Sequence, residues 1–405
     1  MMNVLMFSTD RALFDKNSPV HARLIEQTEL VRKLRVVVLG PKKDGEMKEK
    51  GGKHLIIFGT QSASRFFYMS DAYRIGRRII QGHKHNNWVV TAQDPFWTGP
   101  VAFLVARISG VAFHLQLHTD IFSRGWRGHG LTRRLLHPWI LFRDVNELRA
   151  MLEQLLYPMA LFLLRHADGV RVISERLLRG TLMLGVTMEQ ITKVPIFANV
   201  RHFLEATPAF DLHRSYSEFS RIVLSLGRLQ PEKNYHGLIR AFVQVHKEHD
   251  DTLLLIVGNG PERERLLFLA RSLGLEDCVK ILPWARDVAT YYKTCDVYVQ
   301  PSIYEGWGLA VIEAMASGAP VVMADVGCAG EMVRNEETGL VVPVDDEQAL
   351  AHAIGRLLTD HELARKLAAN GNAEVKKLAT KAETLMLYKT SWEQALFHGR
   401  KRLKT

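Results

Sequence analysis

Short, solidly apolar runs alternate with longer amphipathic segments along almost the whole chain. Runs of this length without polar alternation are typical of strands buried on both faces of a parallel sheet. The predicted strands lie at Val4–Phe7, Val36–Leu39, Leu55–Phe58, Trp88–Thr91, Ala112–Leu117 and Val170–Ile173, and then at Ile222–Leu226, Thr252–Val257, Val279–Leu282, Val297–Val299 and Val321–Met323.

Helical periodicity fills the intervals between these runs. The predicted helices include His21–Arg35, Tyr73–Gln81, Gly99–Ser109, Tyr235–Glu248, Glu262–Leu273, Val288–Lys293 and Leu309–Ser317. From Glu347 onward the pattern predicts helices only. Alternating strands and helices predict an α/β fold with parallel sheets, which bind ligands at the carboxyl ends of their strands.

A chain of 405 residues is too long for one hydrophobic core. We predict two doubly wound, Rossmann-like domains at residues 1–205 and 206–380, because Asn199–Ser220 lacks clear periodicity and precedes a new first strand. We expect residues 381–405 to form a carboxyl-terminal helix that packs back on the first domain.

Composition places the protein in a reducing compartment. Cys278, Cys295 and Cys328 lack close metal-ligand spacing, which argues against disulfides and against a zinc site. No secretory signal is visible, and the apolar stretch Leu155–Leu164 contains Pro158 and is too short to cross a bilayer. We expect a soluble or peripheral protein, in the cytoplasm or at the inner face of the membrane.

The positive charge is concentrated in the first half. Residues 1–200 hold 28 Lys and Arg against 16 Asp and Glu, a net charge of +12, and the remainder has a net charge of −2. This asymmetry suggests an anionic partner. In Arg124–Arg149 arginines alternate with Trp, Leu and Phe, which fits an interfacial membrane helix and equally an ordinary amphipathic helix.

Two acids and two glycines converge on the segment from Pro301 to Pro320. A strand ends before Pro301, Gly306 and Gly308 permit close backbone approach, and a helix begins at Leu309. Free amides and the dipole at a helix start favour a phosphate. Glu313, about 7 Å further along the helix, would then reach a ribose diol, and Glu305 the other end of a diphosphate. Such spacing also occurs by chance between solvated acids.

Two more loops follow predicted strands in the second half. The first runs from Gly227 to Asn234 and presents Arg228 and Lys233, which suit a diphosphate, because Arg binds its oxygens bidentately and Lys adds a point charge. The second, at Val257–Pro261, includes Gly258 and permits close backbone approach. Ordinary solvated turns are the alternative for each loop.

These three segments together resemble the GT-B glycosyltransferases. The motifs are Gly-Arg-Leu-x-x-x-Lys-Asn at Gly227, Val-Gly-Asn-Gly-Pro at Val257, and Pro-Ser-x-x-Glu-Gly-x-Gly-Leu-x-x-x-Glu-Ala-Met-Ala-x-Gly-x-Pro-Val-Val at Pro301. Across residues 220–345 their order and spacing are similar to those of the large retaining family 4, which includes bacterial hexosyl- and mannosyltransferases.

The resemblance implies a role for each matching residue. It assigns Glu313 to the nucleotide ribose, Glu305 to the hydroxyls of the donor sugar, and Arg228 and Lys233 to the diphosphate. The implied donor-binding set is Gly227, Arg228, Lys233, Gly258, Glu305, Gly306, Trp307, Gly308, Leu309 and Glu313, and the implied catalytic set is His118, Glu305, Arg228 and Lys233.

The first half resembles the family more loosely. The family histidine that matches His118 lines the catalytic cleft and contacts the transferred sugar, and Asp94 and Asp120 follow predicted strands in the same half. Many members carry a Gly-Gly pair after the first strand, which is absent here. Arg11 and Lys16 stand in that loop instead and are candidate contacts with an anionic acceptor.

The sequence therefore predicts a retaining hexosyltransferase of cell-surface glycan or glycolipid assembly. The donor would be a UDP- or GDP-linked sugar, the acceptor a lipid-linked or polysaccharide chain, and no cofactor or metal is expected, because no Asp-x-Asp motif is evident. The alternatives are a nucleotide-sugar epimerase on the same fold, a non-catalytic sugar-nucleotide-binding protein, and a nucleic-acid-binding protein, although no nucleic-acid-binding motif accompanies the basic half.

Overall fold

The computed structural model describes residues 1–41, 48–51, 54–81, 87–123 and 155–404, which form two compact units. The first unit comprises the described residues up to Phe122, those from 155 to Pro195, and those from Ala379 onward. The second unit contains Ser123 and the continuous run from Ile196 to Leu378. Each unit is built on a largely parallel sheet flanked by helices, which confirms the predicted α/β fold class.

The first unit contains an eight-stranded sheet in the order β3-β4-β2-β1-β5-β6-β7-β8. Every neighbouring pair is parallel except β3 and β4, which are antiparallel. The strands are β1 Asn3–Ser8, β2 Lys33–Val38, β3 Lys48–Gly51, β4 Leu55–Gly59, β5 Trp88–Ala92, β6 Ala112–Leu117, β7 Gly169–Val172 and β8 Ile191–Lys193.

Six α-helices of the described residues belong to the first unit. They are α1 Pro19–Gln27, α2 Tyr68–Gln81, α3 Gly99–Ser109, α4 Tyr157–Arg165, α5 Glu175–Met183 and the terminal α14 Lys381–Arg402. Helix α14 packs against β5 to β8. Gly169 allows this close packing, because a Cβ there would lie 2.6 Å from the Cβ of Ala395.

The second unit contains a six-stranded, fully parallel sheet in the order β11-β10-β9-β12-β13-β14. The strands are β9 Arg221–Leu226, β10 Thr252–Val257, β11 Val279–Leu282, β12 Val297–Gln300, β13 Val321–Ala324 and β14 Leu340–Val342. The helices are α6 Val200–Glu205, α7 Leu212–Ser215, α8 Tyr235–Glu248, α9 Arg263–Ser272, α10 Val288–Thr294, α11 Leu309–Ser317, α12 Glu347–Thr359 and α13 His361–Val375.

The structure corrects the sequence-based elements in a few places. The helix predicted at His21–Arg35 is wrong beyond Gln27, because β2 begins at Lys33, where a β-branched run joins the sheet. Strands β3, β8 and β14 have no predicted counterpart, since each has only three or four residues. The second unit begins at Ile196, and its α6 packs against α11.

Candidate functional site

Three loops of the second unit meet at the carboxyl edge of its sheet. They follow β9, β10 and β12, and two backbone hydrogen bonds join them. The amide of Leu229 donates to the carbonyl of Asn259 at 2.9 Å, and the amide of Ile303 donates to the carbonyl of Glu232, also at 2.9 Å. The predicted motifs at Gly227, Val257 and Pro301 therefore form one site.

Glycine is required where the first two loops cross. A Cβ on Gly258 would lie 1.9 Å from the carbonyl oxygen of Gly227, far inside van der Waals contact. A Cβ on Gly227 would lie 2.8 Å from the hydroxyl of Tyr235. Gly258 thus permits close approach of two backbone segments, and Gly227 leaves room for the Tyr235 hydroxyl.

Lys233 and Glu305 form an ion pair at the centre of this site. Their side chains are only 16% and 13% exposed, so the pair is largely withdrawn from solvent. Gln300 Nε2 and Ser302 Oγ also donate to Glu305 Oε1, each at 3.0 Å. Three donors thus hold one carboxylate oxygen, and among the described residues no hydrogen bond reaches Oε2.

This arrangement places a hydrogen-bond donor, the Lys233 ammonium, directly beside a hydrogen-bond acceptor, the Glu305 carboxylate. The Lys233 ammonium carries three N–H donors, and Glu305 uses one of them. The remaining donors suit phosphate oxygens, and Oε2 of Glu305 suits hydroxyl donors. A sugar joined to a diphosphate carries both groups side by side.

Arg228 has a different environment from Lys233. Its side chain is 73% exposed and lies 3.6 Å from the carboxylate of Glu232. An exposed ion pair of this length contributes little to stability. The guanidinium therefore keeps the freedom to turn towards an anion.

Helix α11 begins beside the Lys233–Glu305 pair. Its N-cap, Gly308, has φ of +96°, and no side chain caps the helix. The first amides of a helix have no intrahelical partner, so those of Leu309 and Ala310 are positioned to donate to a ligand. Gly306 lies in the loop leading to the helix, and the adjacent Trp307 is 2% exposed and accepts from the amide of Cys328 at 2.9 Å.

Glu313 lies on the second turn of α11. The Tyr292 hydroxyl donates to Glu313 Oε2 at 3.2 Å. Burial raises the pKa of the Glu313 carboxyl to about 7, while the Tyr292 hydrogen bond opposes that shift. Near neutral pH the protonated and the ionised forms of this carboxyl are therefore both populated.

The residues predicted in the first unit lie at the carboxyl edge of its own sheet. His118 directly follows β6 and keeps part of its surface exposed. Burial, and to a smaller extent the nearby cations of Arg171 and Arg23, together lower the pKa of His118 to about 3. The imidazole is thus neutral at neutral pH.

The four acceptor-side candidates have distinct local environments. The Asp94 carboxylate accepts from the Thr98 hydroxyl at 2.7 Å and from backbone amides of the loop that precedes α3. Asp120 is buried and accepts from the amide of Phe122 at 3.1 Å. Arg11 lies beside Gly40, and Lys16 is exposed. The acceptor assignments of all four residues stay predictions.

Three side chains of the site were missed by the sequence interpretation. Gln300 and Ser302 hold Glu305, and Tyr292 holds Glu313. Gln300 is a polar residue at the end of the apolar strand β12, and it is 2% exposed. A polar residue in an otherwise apolar strand end was the available signal for it. Tyr292 gave none, because tyrosine is common on amphipathic helices.

Comparison with known protein families identifies the second unit. Residues 214–374 match the family described as glycosyl transferases group 1. Residues 214–374 are a group 1 glycosyl transferase domain. All three motif loops lie within this range, so the Lys233–Glu305 pair and Glu313 belong to the glycosyl transferase domain.

Characterised relatives match parts of the chain. The lipopolysaccharide core biosynthesis glycosyltransferase LpsE of Rhizobium meliloti is 32% identical over 151 residues, 37% of this chain and 43% of LpsE. The N-acetyl-alpha-D-glucosaminyl L-malate synthase of Bacillus anthracis is 28% identical over 237 residues, 58% of this chain and 62% of that protein. The chain thus spans less than two thirds of the length of these relatives.

Solved structures match nearly the whole chain at low sequence identity. The sucrose-phosphate synthase of Thermosynechococcus elongatus has a TM-score of 0.72 and 22% identity, and 97% of this chain and 99% of that chain are covered. Anabaena HepE in complex with UDP-glucose has a TM-score of 0.65 and 20% identity, with both chains fully covered at 100%. These likenesses establish the GT-B fold.

Within the described ranges, no helix is long and apolar enough to cross a membrane. The same part of the chain holds no group of three or more His, Cys, Asp and Glu side chains arranged as metal ligands. The arginine-rich segment Arg124–Arg149 lies outside the described residues. Its proposed interfacial helix stays a prediction.

Proposed function

We propose that this protein is a retaining glycosyltransferase that moves a hexosyl unit from a nucleotide-diphosphate sugar to a lipid-linked or polysaccharide acceptor. The observation that carries the proposal is the Lys233–Glu305 pair beside the open start of α11, inside a group 1 glycosyl transferase domain. A cation, free amides and a carboxylate oxygen match the diphosphate and sugar hydroxyls of such a donor.

Each donor-site residue has a role that follows from its surroundings. Lys233, Arg228 and the amides at the start of α11 would bind the diphosphate. Glu305 would accept hydrogen bonds from sugar hydroxyls, and Glu313 from the ribose diol. UDP bound in HepE and lipopolysaccharide assembly by LpsE support a nucleotide-sugar donor and a cell-surface glycan product.

The proposed reaction retains configuration at the anomeric carbon. The bond from that carbon to the diphosphate oxygen breaks, and a bond to the acceptor oxygen forms on the same face. The acceptor proton passes to the departing phosphate oxygen. Because the leaving diphosphate gains negative charge, the cations of Lys233 and Arg228 would stabilise the transition state more than the ground state. No metal takes part in this scheme.

A thermal-shift screen against UDP- and GDP-sugars tests the donor proposal. Ligands that bind only the folded protein raise its melting temperature, and a concentration of 100 times Kd stabilises by about 2.7 kcal/mol. We expect one nucleotide class to raise the melting temperature and UMP or GMP to raise it less, because both lack the second phosphate. Absence of a shift with every sugar nucleotide would contradict the proposal.

Product analysis with the stabilising donor then tests the reaction. We expect sugar transfer only when an acceptor glycan or glycolipid is present, with the anomeric configuration of the donor kept. Conversion of the donor without any acceptor would identify an epimerase instead. Binding without turnover on any acceptor would identify a sugar-nucleotide-binding protein.

We also propose that the protein works in the cytoplasm at the inner face of a membrane, where a lipid-linked acceptor would be reached. The segment between β4 and α2 supports this proposal. Phe66 is 95% exposed, Phe67 is 53% exposed, and Arg65 beside them is exposed as well. Exposed aromatic residues next to a cation suit an anionic lipid interface.

Replacing both aromatic residues tests the membrane surface. We expect the double variant Phe66→Ser/Phe67→Ser to lose most of its cosedimentation with phosphatidylglycerol vesicles, because it no longer inserts apolar area into the bilayer. Wild-type binding should weaken with added salt, since salt screens exposed charges. The matched control is Phe268→Ser in the second unit, where Phe268 is 69% exposed. Equal pelleting of wild type and double variant would contradict the proposal.

A further inference from the structure

A chain of buried polar side chains runs from the core of the second unit to Glu305. It begins at Tyr298 on β12, which is fully buried. The Tyr298 hydroxyl donates to Gln300 Oε1 at 2.6 Å, and the next acceptor, the carbonyl of Leu226, is 3.5 Å away. Gln300 Nε2 then donates to Ser302 Oγ at 2.6 Å and to Glu305 Oε1 at 3.0 Å. Each link from Tyr298 to Glu305 is therefore a direct hydrogen bond.

The chemistry of these groups fixes which way the Gln300 amide points. A carboxylate can only accept hydrogen bonds, so Glu305 has to face the NH2 group of the amide and not its oxygen. The amide oxygen then faces Tyr298, whose hydroxyl donates to it. An amide turned the other way would place its oxygen against the carboxylate at 3.0 Å. The Tyr298 hydroxyl thus stabilises the orientation in which Gln300 holds Glu305.

Packing by itself does not explain polar side chains at these two positions. Tyr298 and Gln300 lie on the same face of β12, since side chains two positions apart in a strand share a face. Phe and Leu would fill nearly the same space without polar atoms, and a polar group withdrawn from water costs free energy unless it is hydrogen-bonded. The hydrogen bonds of this polar pair lead to Glu305, so holding that carboxylate is the role that the contacts support.

We propose that Tyr298 is a positioning residue for Glu305: its hydroxyl sets the Gln300 amide, and that amide holds the carboxylate in place for the hydroxyls of the donor sugar. This inference rests on the proposed function, in which Glu305 contacts that sugar. Because Oε1 of Glu305 is held from within the protein, Oε2 keeps a fixed direction. A group fixed before binding loses less side-chain entropy when the ligand arrives, so the sugar is bound more tightly.

A second tyrosine provides a matched comparison. Tyr292 on α10 is also fully buried, and its ring packs edge-to-face against that of Tyr298, with the centroids 5.2 Å apart. Its hydroxyl donates to Glu313 Oε2 at 3.2 Å, on the ribose side of the proposed site. Two adjoining phenols thus reach the two acids, one directly and the other through Gln300. Replacing either tyrosine by Phe removes one oxygen atom and keeps the ring.

A double-mutant cycle on the melting temperature of the full-length protein tests whether Tyr298 acts through Gln300, and it needs no ligand. We expect Tyr298→Phe and Gln300→Leu each to lower the melting temperature. The double variant should lose clearly less than the sum of the two, because the hydroxyl then has no amide to hold. Tyr292→Phe with Gln300→Leu should give additive losses, since the Tyr292 hydroxyl holds Glu313 instead. Ser302→Ala takes the place of Gln300→Leu if that variant fails to fold, and additive losses with Tyr298→Phe would overturn the inference.

Titration calorimetry of the same variants tests whether Tyr298 positions Glu305. It compares the sugar nucleotide with the largest thermal shift, for example UDP-glucose, with the same nucleotide without its sugar, in that case UDP. We expect Tyr298→Phe to weaken binding of the sugar nucleotide about 3–10-fold, the contribution of one hydrogen bond, and to leave binding of the nucleoside diphosphate within about twofold of wild type. Tyr292→Phe should weaken both ligands by the same factor, since Glu313 would meet the ribose.

The outcomes of these two experiments separate the inference from the proposed function. An equal loss for both ligands in Tyr298→Phe would indicate a purely structural role and overturn the inference, and so would unchanged binding of both. A wild-type protein that binds no sugar nucleotide would contradict the proposed function. The melting-temperature cycle would still decide whether the Tyr298 hydroxyl holds Gln300.

Discussion

Removing either member of the Lys233–Glu305 pair is expected to reduce sugar transfer about 10²–10³-fold, the size found for one lost electrostatic donor in an active site. Lys233→Met removes a cation that faces the departing diphosphate. Glu305→Gln removes the carboxylate that would accept from sugar hydroxyls. Both changes keep the approximate volume of the side chain, so the cavity effects of an alanine substitution are avoided.

A double variant separates the chemistry from the fold. Each single change leaves a largely withdrawn charge without its partner, and breaking a buried pair costs about 3–5 kcal/mol. The pair is 16% and 13% exposed, so we expect a smaller loss of stability than that. Lys233→Met/Glu305→Gln removes both charges and should recover melting temperature relative to Lys233→Met, while sugar transfer stays as low as in the singles.

The control for these single and double variants is a surface ion pair in the same unit. Arg240 and Glu347 form an ion pair with side chains 42% and 37% exposed. Arg240→Met should keep transfer within about twofold of wild type, because exposed pairs contribute about 0–1 kcal/mol. The donor site would be misassigned if the Lys233–Glu305 double variant transferred sugar as fast as Arg240→Met does.

Replacing Glu313 by Gln is expected to stabilise the protein at pH 8 and to weaken nucleotide binding there. The folded-state pKa of Glu313 is raised from 4.5 to about 7 by burial. Between these two values the folded protein holds a proton that the unfolded chain has released. Stability therefore falls as pH rises from 4.5 to 7, and the full penalty applies above pH 7. Glutamine removes that penalty.

Calorimetry at two pH values measures this effect. The melting temperature of Glu313→Gln should exceed that of wild type by several degrees at pH 8 and match it near pH 4.5. Glu264→Gln is the control, since its side chain is 82% exposed in the same unit. Equal melting temperatures of wild type and Glu313→Gln at pH 8 would mean that Glu313 ionises without penalty.

Nucleotide affinity should show the opposite preference. An ionised carboxylate accepts hydrogen bonds from both ribose hydroxyls, whereas an amide offers one oxygen. Wild-type affinity should therefore rise as pH increases through about 7, and Glu313→Gln should lose this dependence along with roughly 10–100-fold of the affinity at pH 8, since hydrogen bonds to charged groups contribute about 1.5–3 kcal/mol. Titration calorimetry at pH 6 and pH 8 decides between these outcomes.

The sequence could predict which segments form the candidate site, because its loops follow strongly apolar strands. The helix Leu309–Ser317 has the bounds predicted for it, since Gly308 and Gly318 mark both ends. At the start of α8, the side chain of Asn234 accepts from the amide of Gly237, and asparagine is a residue that commonly caps a helix start. These signals are local, and local chemistry decides where a helix begins and ends.

The pairings within the site were not predictable. Arg228 and Lys233 looked equivalent in sequence, yet Lys233 turns inward to Glu305 and Arg228 outward to Glu232. The carboxylate of Asp94 accepts hydrogen bonds from the loop that precedes α3, a set of contacts that its place after β5 did not predict. Short strands such as β14 were missed, because three residues carry too little pattern to stand out without their neighbours in the sheet.

The sequence by itself determined the two α/β units, the three loops and the charged side chains of these segments, which are Glu305, Glu313, Arg228 and Lys233. Strand hydrophobicity and turn residues are local features of a sequence, so these elements could be predicted from it. Tertiary structure alone decided which side chains are withdrawn from water and which meet. The raised pKa of Glu313 and the withdrawal of the Lys233–Glu305 pair from solvent both arise from packing among residues distant in the chain, and burial depends on the whole packed fold.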